Sequence, residues 1–260
     1  MTTAQLQQNA PSAPVRQAMN KVPEVTALFW IIKVLTTGMG ETASDFLAHV
    51  MDPMIAVALG GVGFVACLAV QFSVRRYVAW VYWTTVVMVS VFGTMAADVM
   101  HVGLHVPYLV ATPFFLLALA TVFGTWYATE RTLSVHSINT PRREAFYWAT
   151  VLGTFALGTA VGDLTATTFG LGYLASGFAF AGLIAVPAVA HSRFGFGAIA
   201  AFWWAYVLTR PLGASFADWM AVPHARGGLN LGLGPVTLTW TLVILALVGY
   251  LATSRRDTAG

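Results

Sequence analysis

Charge is what this sequence has least of. Only 23 of its 260 residues are Lys, Arg, Asp or Glu, or 9%, against about a quarter in soluble globular chains. Thirteen basic and ten acidic side chains cannot cover the water-facing surface of a soluble domain of this length. Cysteine is nearly absent: the single Cys67 lies in an apolar run, which excludes a disulfide framework and a cysteine metal site. The chain has no His-Glu-x-x-His, Gly-x-Ser-x-Gly, Cys-x-x-Cys or phosphate-binding glycine loop. Gly162-Asp163 matches half of an intramembrane aspartyl-protease motif, but Ala160 stands where that motif needs glycine. No catalytic residue is therefore assigned, and the chain is expected not to be an enzyme. A net charge of only +3 gives a nucleic-acid partner no support. What is present is apolar: 58% hydrophobic residues and a mean hydropathy of +0.74. The class this implies is an all-α polytopic membrane protein, with the lipid bilayer as its main partner.

A helix needs about 20 predominantly apolar residues to cross the hydrocarbon. Eight such runs are present, approximately 25–50, 54–73, 78–101, 107–128, 145–168, 173–192, 197–221 and 234–253. Turn signals such as Asp52-Pro53 and Gly170-Leu171-Gly172 separate them. Residues 1–22 are polar and read as a disordered tail, followed by one membrane domain over 23–256. With the N-terminus inside, ten of the thirteen basic residues fall in cytoplasmic segments and only Arg226 lies in an outer loop. The positive-inside rule then puts both termini in the cytoplasm.

Self-comparison shows a fourfold repeat. Phe29-Trp30, Tyr82-Trp83, Tyr147-Trp148 and Phe202-Trp203 are each followed, ten residues after the Trp, by Gly40, Gly93, Gly158 and Gly213. Fifteen residues after the Trp come Asp45, Asp98, Asp163 and Asp218, with no gap in any copy. The second run of each unit ends in a small polar residue before an arginine, as in Ser192-Arg193 and Ser254-Arg255. The boundaries are about 23–76, 77–140, 141–196 and 197–256. Two spans per unit make the four copies parallel, arranged either as a ring or as two pairs. This tandem unit, with Asn20-Lys21-Val22-Pro23-Glu24-Val25 through Gly40-Glu41-Thr42 as its first copy, resembles the fourfold "repeat of unknown function" of bacterial integral membrane proteins. The resemblance implies eight spans and a bacterial inner (cytoplasmic) membrane, and carries no activity or site residues.

Residues at i, i+4, i+8 and i+12 share one broad helix face. That face reads Lys33, Thr37, Glu41, Asp45, His49 in the first copy and Val86, Ser90, Thr94, Asp98 in the second. It reads Val151, Phe155, Thr159, Asp163, Thr167 in the third and Tyr206, Arg210, Ala214, Asp218 in the fourth. Intramembrane acids are costly and almost always face a bundle interior or an aqueous cavity. Clustered carboxylates must share protons or hold cations. The stripe therefore points to a transporter or channel-like permease for a small inorganic cation, foremost a divalent metal ion. Asp45, Asp98, Asp163, Asp218 and Glu41 would bind the ion or carry coupling protons. Thr37, Ser90, Thr94, Thr159 and the four tryptophans would line the path, and His49 and His101 could add nitrogen ligands to the aspartates. The alternative is a scaffold, sensor or complex subunit whose aspartates only hold helices together. No resident cofactor is implied beyond a bound divalent cation.

Further expectations attach to single residues. Trp30, Trp83, Trp148 and Trp203 suit either an interfacial belt or an inward plug. The four glycines suit close helix packing. If the copies form a ring, Glu41 and Arg210 become neighbours and an ion pair. Pro211 should kink or interrupt the seventh span, and Lys33 should snorkel to the inner surface. Nothing in the sequence addresses the oligomeric state.

Overall fold

The computed structural model describes residues 20–254 and 256–257. The expected tail over 1–19, with Arg16, lies outside the described residues, as does Arg255. Eight long helices account for the repeats: α1 Ala27–Val50, α2 Pro53–Ser73, α3 Ala79–Asp98, α4 Tyr108–Glu130, α5 Pro141–Asp163, α6 Tyr173–Phe194, α7 Ala198–Ala221 and α8 Leu233–Ser254. Their ends follow local chemistry. Thr26, Asp52 and Thr140 cap α1, α2 and α5 with side-chain oxygens that accept from first-turn amides. Pro53 and Pro141 open α2 and α5, where the missing N–H is harmless. α3 and α5 each run on into a π-helical turn, Val99–Gly103 and Leu164–Thr168, immediately after Asp98 and Asp163. The spacing of apolar residues does not reveal this change of pitch.

Among the described residues, six helices are long and apolar enough to cross a membrane by length and composition: α2, α3, α4, α5, α6 and α8. α1 and α7 fall short. They carry Lys33, Glu41 and Asp45 in one case and Arg210 and Asp218 in the other. The first helices of the repeats carry most of the buried polar residues, while the second helices are largely apolar. About 67% of the most apolar stretch of α5 is buried, against 17% for α2 and α4. The second helices leave residues such as Val62, Leu117 and Leu242 exposed, as a lipid-facing surface requires.

The four first helices close a ring: α1 packs on α3, α3 on α5, α5 on α7, and α7 on α1. Each second helix packs mainly on the first helix of the next repeat, α2 on α3, α4 on α5, α6 on α7 and α8 on α1. The chain thus interlocks its repeats, and the ring replaces the two-pair alternative. The glycine position shows why the ring is tight. A side chain at Gly40 would meet Ser90, at Gly93 Phe155, at Gly158 Arg210, and at Gly213 Thr37. These four neighbours are one repeat position, each taken from the next copy around the ring, so the glycines serve close packing as the sequence implies.

The basic end of the bundle, which carries Arg75, Arg76, Arg131, Arg142, Arg143, Arg193 and Arg256, also gathers both described termini. Residues 20–22 are not part of a loose tail. Asn20 and Val22 are buried, the Lys21 amide donates to Ile138 O and the Tyr77 amide to Asn20 O. Lys21 Nζ lies 2.6 Å from the buried Glu144 carboxylate, which also accepts from Gln71. The Glu24 amide donates to Asp257 O, and the Tyr77 hydroxyl donates to the Asp257 side chain. Burial pushes the Asp257 carboxyl up from its ordinary range, with the Tyr77 hydrogen bond opposing it. This clasp gives residues 20–26 buried partners that polarity alone does not suggest.

Two glycines give opposite expectations for the same change. A Cβ at Gly213 would lie 2.7 Å from Val34 O and 3.0 Å from Gly38 N, both backbone atoms of α1. Gly182 on α6 has nothing within 4 Å. Gly213→Ala should lower stability by about 1–3 kcal/mol, while Gly182→Ala should be neutral or raise it by up to about 1 kcal/mol. Unfolding midpoints of the purified variants in detergent check both.

Candidate functional site

The inner faces of α1, α3, α5 and α7 stack three layers of repeat-equivalent residues. Towards the basic end the layer is aromatic. The aromatic before each Trp packs on the Trp of the neighbouring repeat, with ring centroids 5.7 Å apart for Phe29–Trp83, 5.6 Å for Tyr82–Trp148, 6.3 Å for Tyr147–Trp203 and 5.5 Å for Phe202–Trp30. Trp83, Trp148 and Trp203 are buried and Trp30 half-buried. The interfacial-belt expectation is therefore set aside for Trp83, Trp148 and Trp203, which pack inside the bundle, while Trp30 packs on Phe202 and also borders the outer surface. Tyr82 and Tyr147 join their hydroxyls at 2.5 Å across this layer.

Lys33 lies further into the ring. Its Nζ sits 4.2 Å from the Phe155 ring centroid and 4.4 Å from that of Tyr206, fully buried and, among the described residues, without a hydrogen-bond partner. The snorkelling expectation is wrong for a positional reason. Lys33 belongs to the inward stripe, so its stem runs among the helices of the ring and its Nζ lies over the aromatic faces of Phe155 and Tyr206.

The next layer joins all four repeats at one guanidinium. Arg210 of α7 is fully buried. Its Nη2 donates to the Glu41 carboxylate of α1, to the Thr94 hydroxyl of α3, and to the Thr159 hydroxyl of α5 at 2.7 Å. The two threonines donate their own protons to Ser90 O and Phe155 O, one turn back along their helices. Their lone pairs are thereby left for the guanidinium. Nη1 reaches Thr37 O at 3.5 Å, while Nε has no partner among the described residues. In the aligned stripe, Arg210 starts one turn below the Glu41–Thr94–Thr159–Ala214 layer and reaches up into it. Ala214 leaves it room, and Gly158 accommodates its stem. The ion pair expected from ring closure is present. α7 is continuous through Pro211, so that proline does not interrupt the helix. Thr37 and Ser90 tie neighbouring helices together, donating to Thr209 O and Thr36 O.

The outermost layer holds the aspartates. Glu41, Asp163 and Asp218 each offer a carboxylate oxygen, and these oxygens all lie within 4.8 Å of one another. Asp218 is buried; Asp45, Asp98 and Asp163 are half-buried. Among the described residues Asp45 and Asp98 are outside this closest group, and so are the histidines. His49 is exposed with Nδ1 on Asp45 O at 2.6 Å. His101 stacks on Tyr108 with Nδ1 on Val106 O. Beyond the layer, Arg226 donates to the Tyr173 hydroxyl at 2.6 Å. Glu41 is thus shared: one side meets Arg210, the other the aspartates. Three carboxylates against one guanidinium leave an excess of negative charge, which calls for a cation or protons.

Layered repeats of this kind, closed into a ring with apolar outer helices, define a multi-pass helical membrane protein built by fourfold internal duplication. The family model described as Repeat of Unknown Function (DUF347) matches residues 28–77, 81–132, 146–195 and 201–257. The chain belongs to that family, in agreement with the resemblance of its tandem unit. No curated protein and no solved structure matches it.

The hub makes a coupled prediction. Arg210→Met leaves Glu41 buried beside two aspartates, and Glu41→Gln leaves a buried guanidinium without its counter-charge; each should cost about 3–5 kcal/mol. The double variant should be destabilised by clearly less than the sum of the two. A double-mutant cycle on unfolding in detergent reads the difference, and additive losses would deny the pairing.

Proposed function

We propose that this protein is a membrane transporter, a carrier or channel-like permease, for a cation, with a divalent metal ion as the species best matched to its acids. The observation carrying this reading is the convergence of Glu41, Asp163 and Asp218, from three repeats, inside an apolar bundle. Carboxylate oxygens at this spacing suit hard or borderline cations such as Mg²⁺ or Mn²⁺. Asp45 and Asp98 occupy the same repeat position and supply further charge for ion capture or for coupling protons. Eight helices cross the bilayer in this reading, six by composition alone and α1 and α7 because the ring shields their charges. The basic end faces the cytoplasm of a bacterial cell, so the aspartates open outward.

Arg210 works here as a built-in competitor. A divalent ion on Glu41 would draw charge from the carboxylate that the guanidinium holds, so the two cations compete for it and binding the ion favours states in which Arg210 has let go. Towards the cytoplasm, Lys33 and the aromatic layer close the path in the conformation described.

A second reading, a scaffold or complex subunit, draws on the same hub, because Arg210 contacts a residue from each of the other three repeats. Metal-dependent unfolding separates the two. A divalent ion at 100 times its dissociation constant should stabilise the purified protein by about 2.7 kcal/mol, a shift of a few degrees. Asp163→Asn with Asp218→Asn should abolish that shift and the uptake of Mn²⁺ into proteoliposomes, while baseline stability stays near wild type. A double variant that keeps both the shift and the uptake refutes the transport reading.

A further inference from the structure

Away from the ring interior, the structure has a cavity of about 630 Å³ between α6, α7 and the start of α1, floored by residues 133–136. Its walls are apolar: Trp30, Ile184, Pro187, Ala188, Ala201 and Ala205 among them. The polar lining residues, Ser134, His136 and His191, belong to the loop before α5 and the last turns of α6, at the basic end. The cavity opens at the protein surface, with Ile199 at its mouth 43% exposed.

The repeat explains how this space arises. At the equivalent interface between α4 and α5, Trp126 and Phe146 stack with parallel rings 6.2 Å apart and fill it. Counting from Arg131 and Arg193, Trp126 corresponds to Ala188; counting from Trp148 and Trp203, Phe146 corresponds to Ala201. Two aromatic side chains at one interface are two alanines at the other. Both alanines line the cavity.

We propose that this cavity is a binding site for an anionic phospholipid of the leaflet at the basic end, with one acyl chain inside and the headgroup at His136 and His191, within the field of the exposed Arg193 at the end of α6. The occupant follows from the site's polarity. An apolar slot in a lipid-facing surface takes a hydrocarbon chain, and polar groups confined to one end set that chain's direction. Arg193 is exposed at the same end of α6 as His191, and Glu24 lies 3.9 Å from His136. Phe194 and Phe196 are exposed in the adjoining turn, where aromatic side chains anchor at the headgroup level.

The test restores the filled interface from the protein's own repeat. Wild type and Ala188→Trp/Ala201→Phe are purified in mild detergent, and bound lipid is counted by native mass spectrometry with added phosphatidylglycerol or phosphatidylcholine. Wild type should retain phosphatidylglycerol at least tenfold better than phosphatidylcholine. The filled variant should lose that retention while unfolding at or above the wild-type temperature. Arg193→Gln, outside the cavity, should keep lipid binding but cut the preference for phosphatidylglycerol several-fold; should the filled variant not fold, this variant decides alone. Equal lipid retention by the filled variant, no preference between the lipids in wild type, or an undiminished preference in Arg193→Gln would each overturn the proposal. A dimer that the filled variant abolishes, with no lipid bound to wild type, would overturn it in favour of a second copy of the chain.

Discussion

The structure depends on one buried guanidinium. Arg210 reaches into the ring and bonds to Glu41, Thr94 and Thr159, so each repeat contributes one polar group to a single contact. A charge placed there without partners would carry a penalty of several kcal/mol, and the surroundings are arranged to prevent it. Gly158 accommodates the arginine stem, Ala214 leaves the fourth side of the layer open, and the threonine hydroxyls have their protons turned elsewhere. Glu41 faces both ways, towards the guanidinium and towards Asp163 and Asp218. The hub therefore links the packing of the ring to the charge state of its outer layer.

The fourfold pattern and its departures have separate jobs. Positions shared by all four repeats build the frame: the aromatic pairs at one end, the glycines in the middle, the aspartates at the other. Positions that differ give it a direction and distinct sites. Only the first repeat has Glu41 and Lys33, only the fourth has Arg210, and only the interface of α6 with α7 has alanines where α4 and α5 stack Trp126 on Phe146. Duplication followed by local divergence produces a ring whose helix packing repeats fourfold while its chemistry does not.

Much of this was legible in the sequence. Eight apolar runs predicted eight helices whose ends mostly shift by a few residues, because length and turn residues mark them strongly. The gap-free Trp–Gly–Asp spacing predicted equivalent layers, and ring closure predicted the Glu41–Arg210 pair. Lys33 and the tryptophans were harder. Rules for membrane interfaces describe average lysines and tryptophans, whereas these lie on the inward face of a helix ring that only packing reveals. The π turns after Asp98 and Asp163, the clasp made by residues 20–26 and the cavity beside α6 depend on contacts between repeats, which spacing within one repeat does not encode. The histidines carried the right chemistry for metal ligands, yet their rings turn to backbone carbonyls or to Tyr108.

The most direct measurement is the position of a bound ion. A structure of the purified protein with Mn²⁺, located by its anomalous scattering, should show one peak between Glu41, Asp163 and Asp218, with the Arg210 guanidinium withdrawn from Glu41. Arg210 still bonded to Glu41 at saturating Mn²⁺, with no manganese among the three carboxylates, would contradict the account.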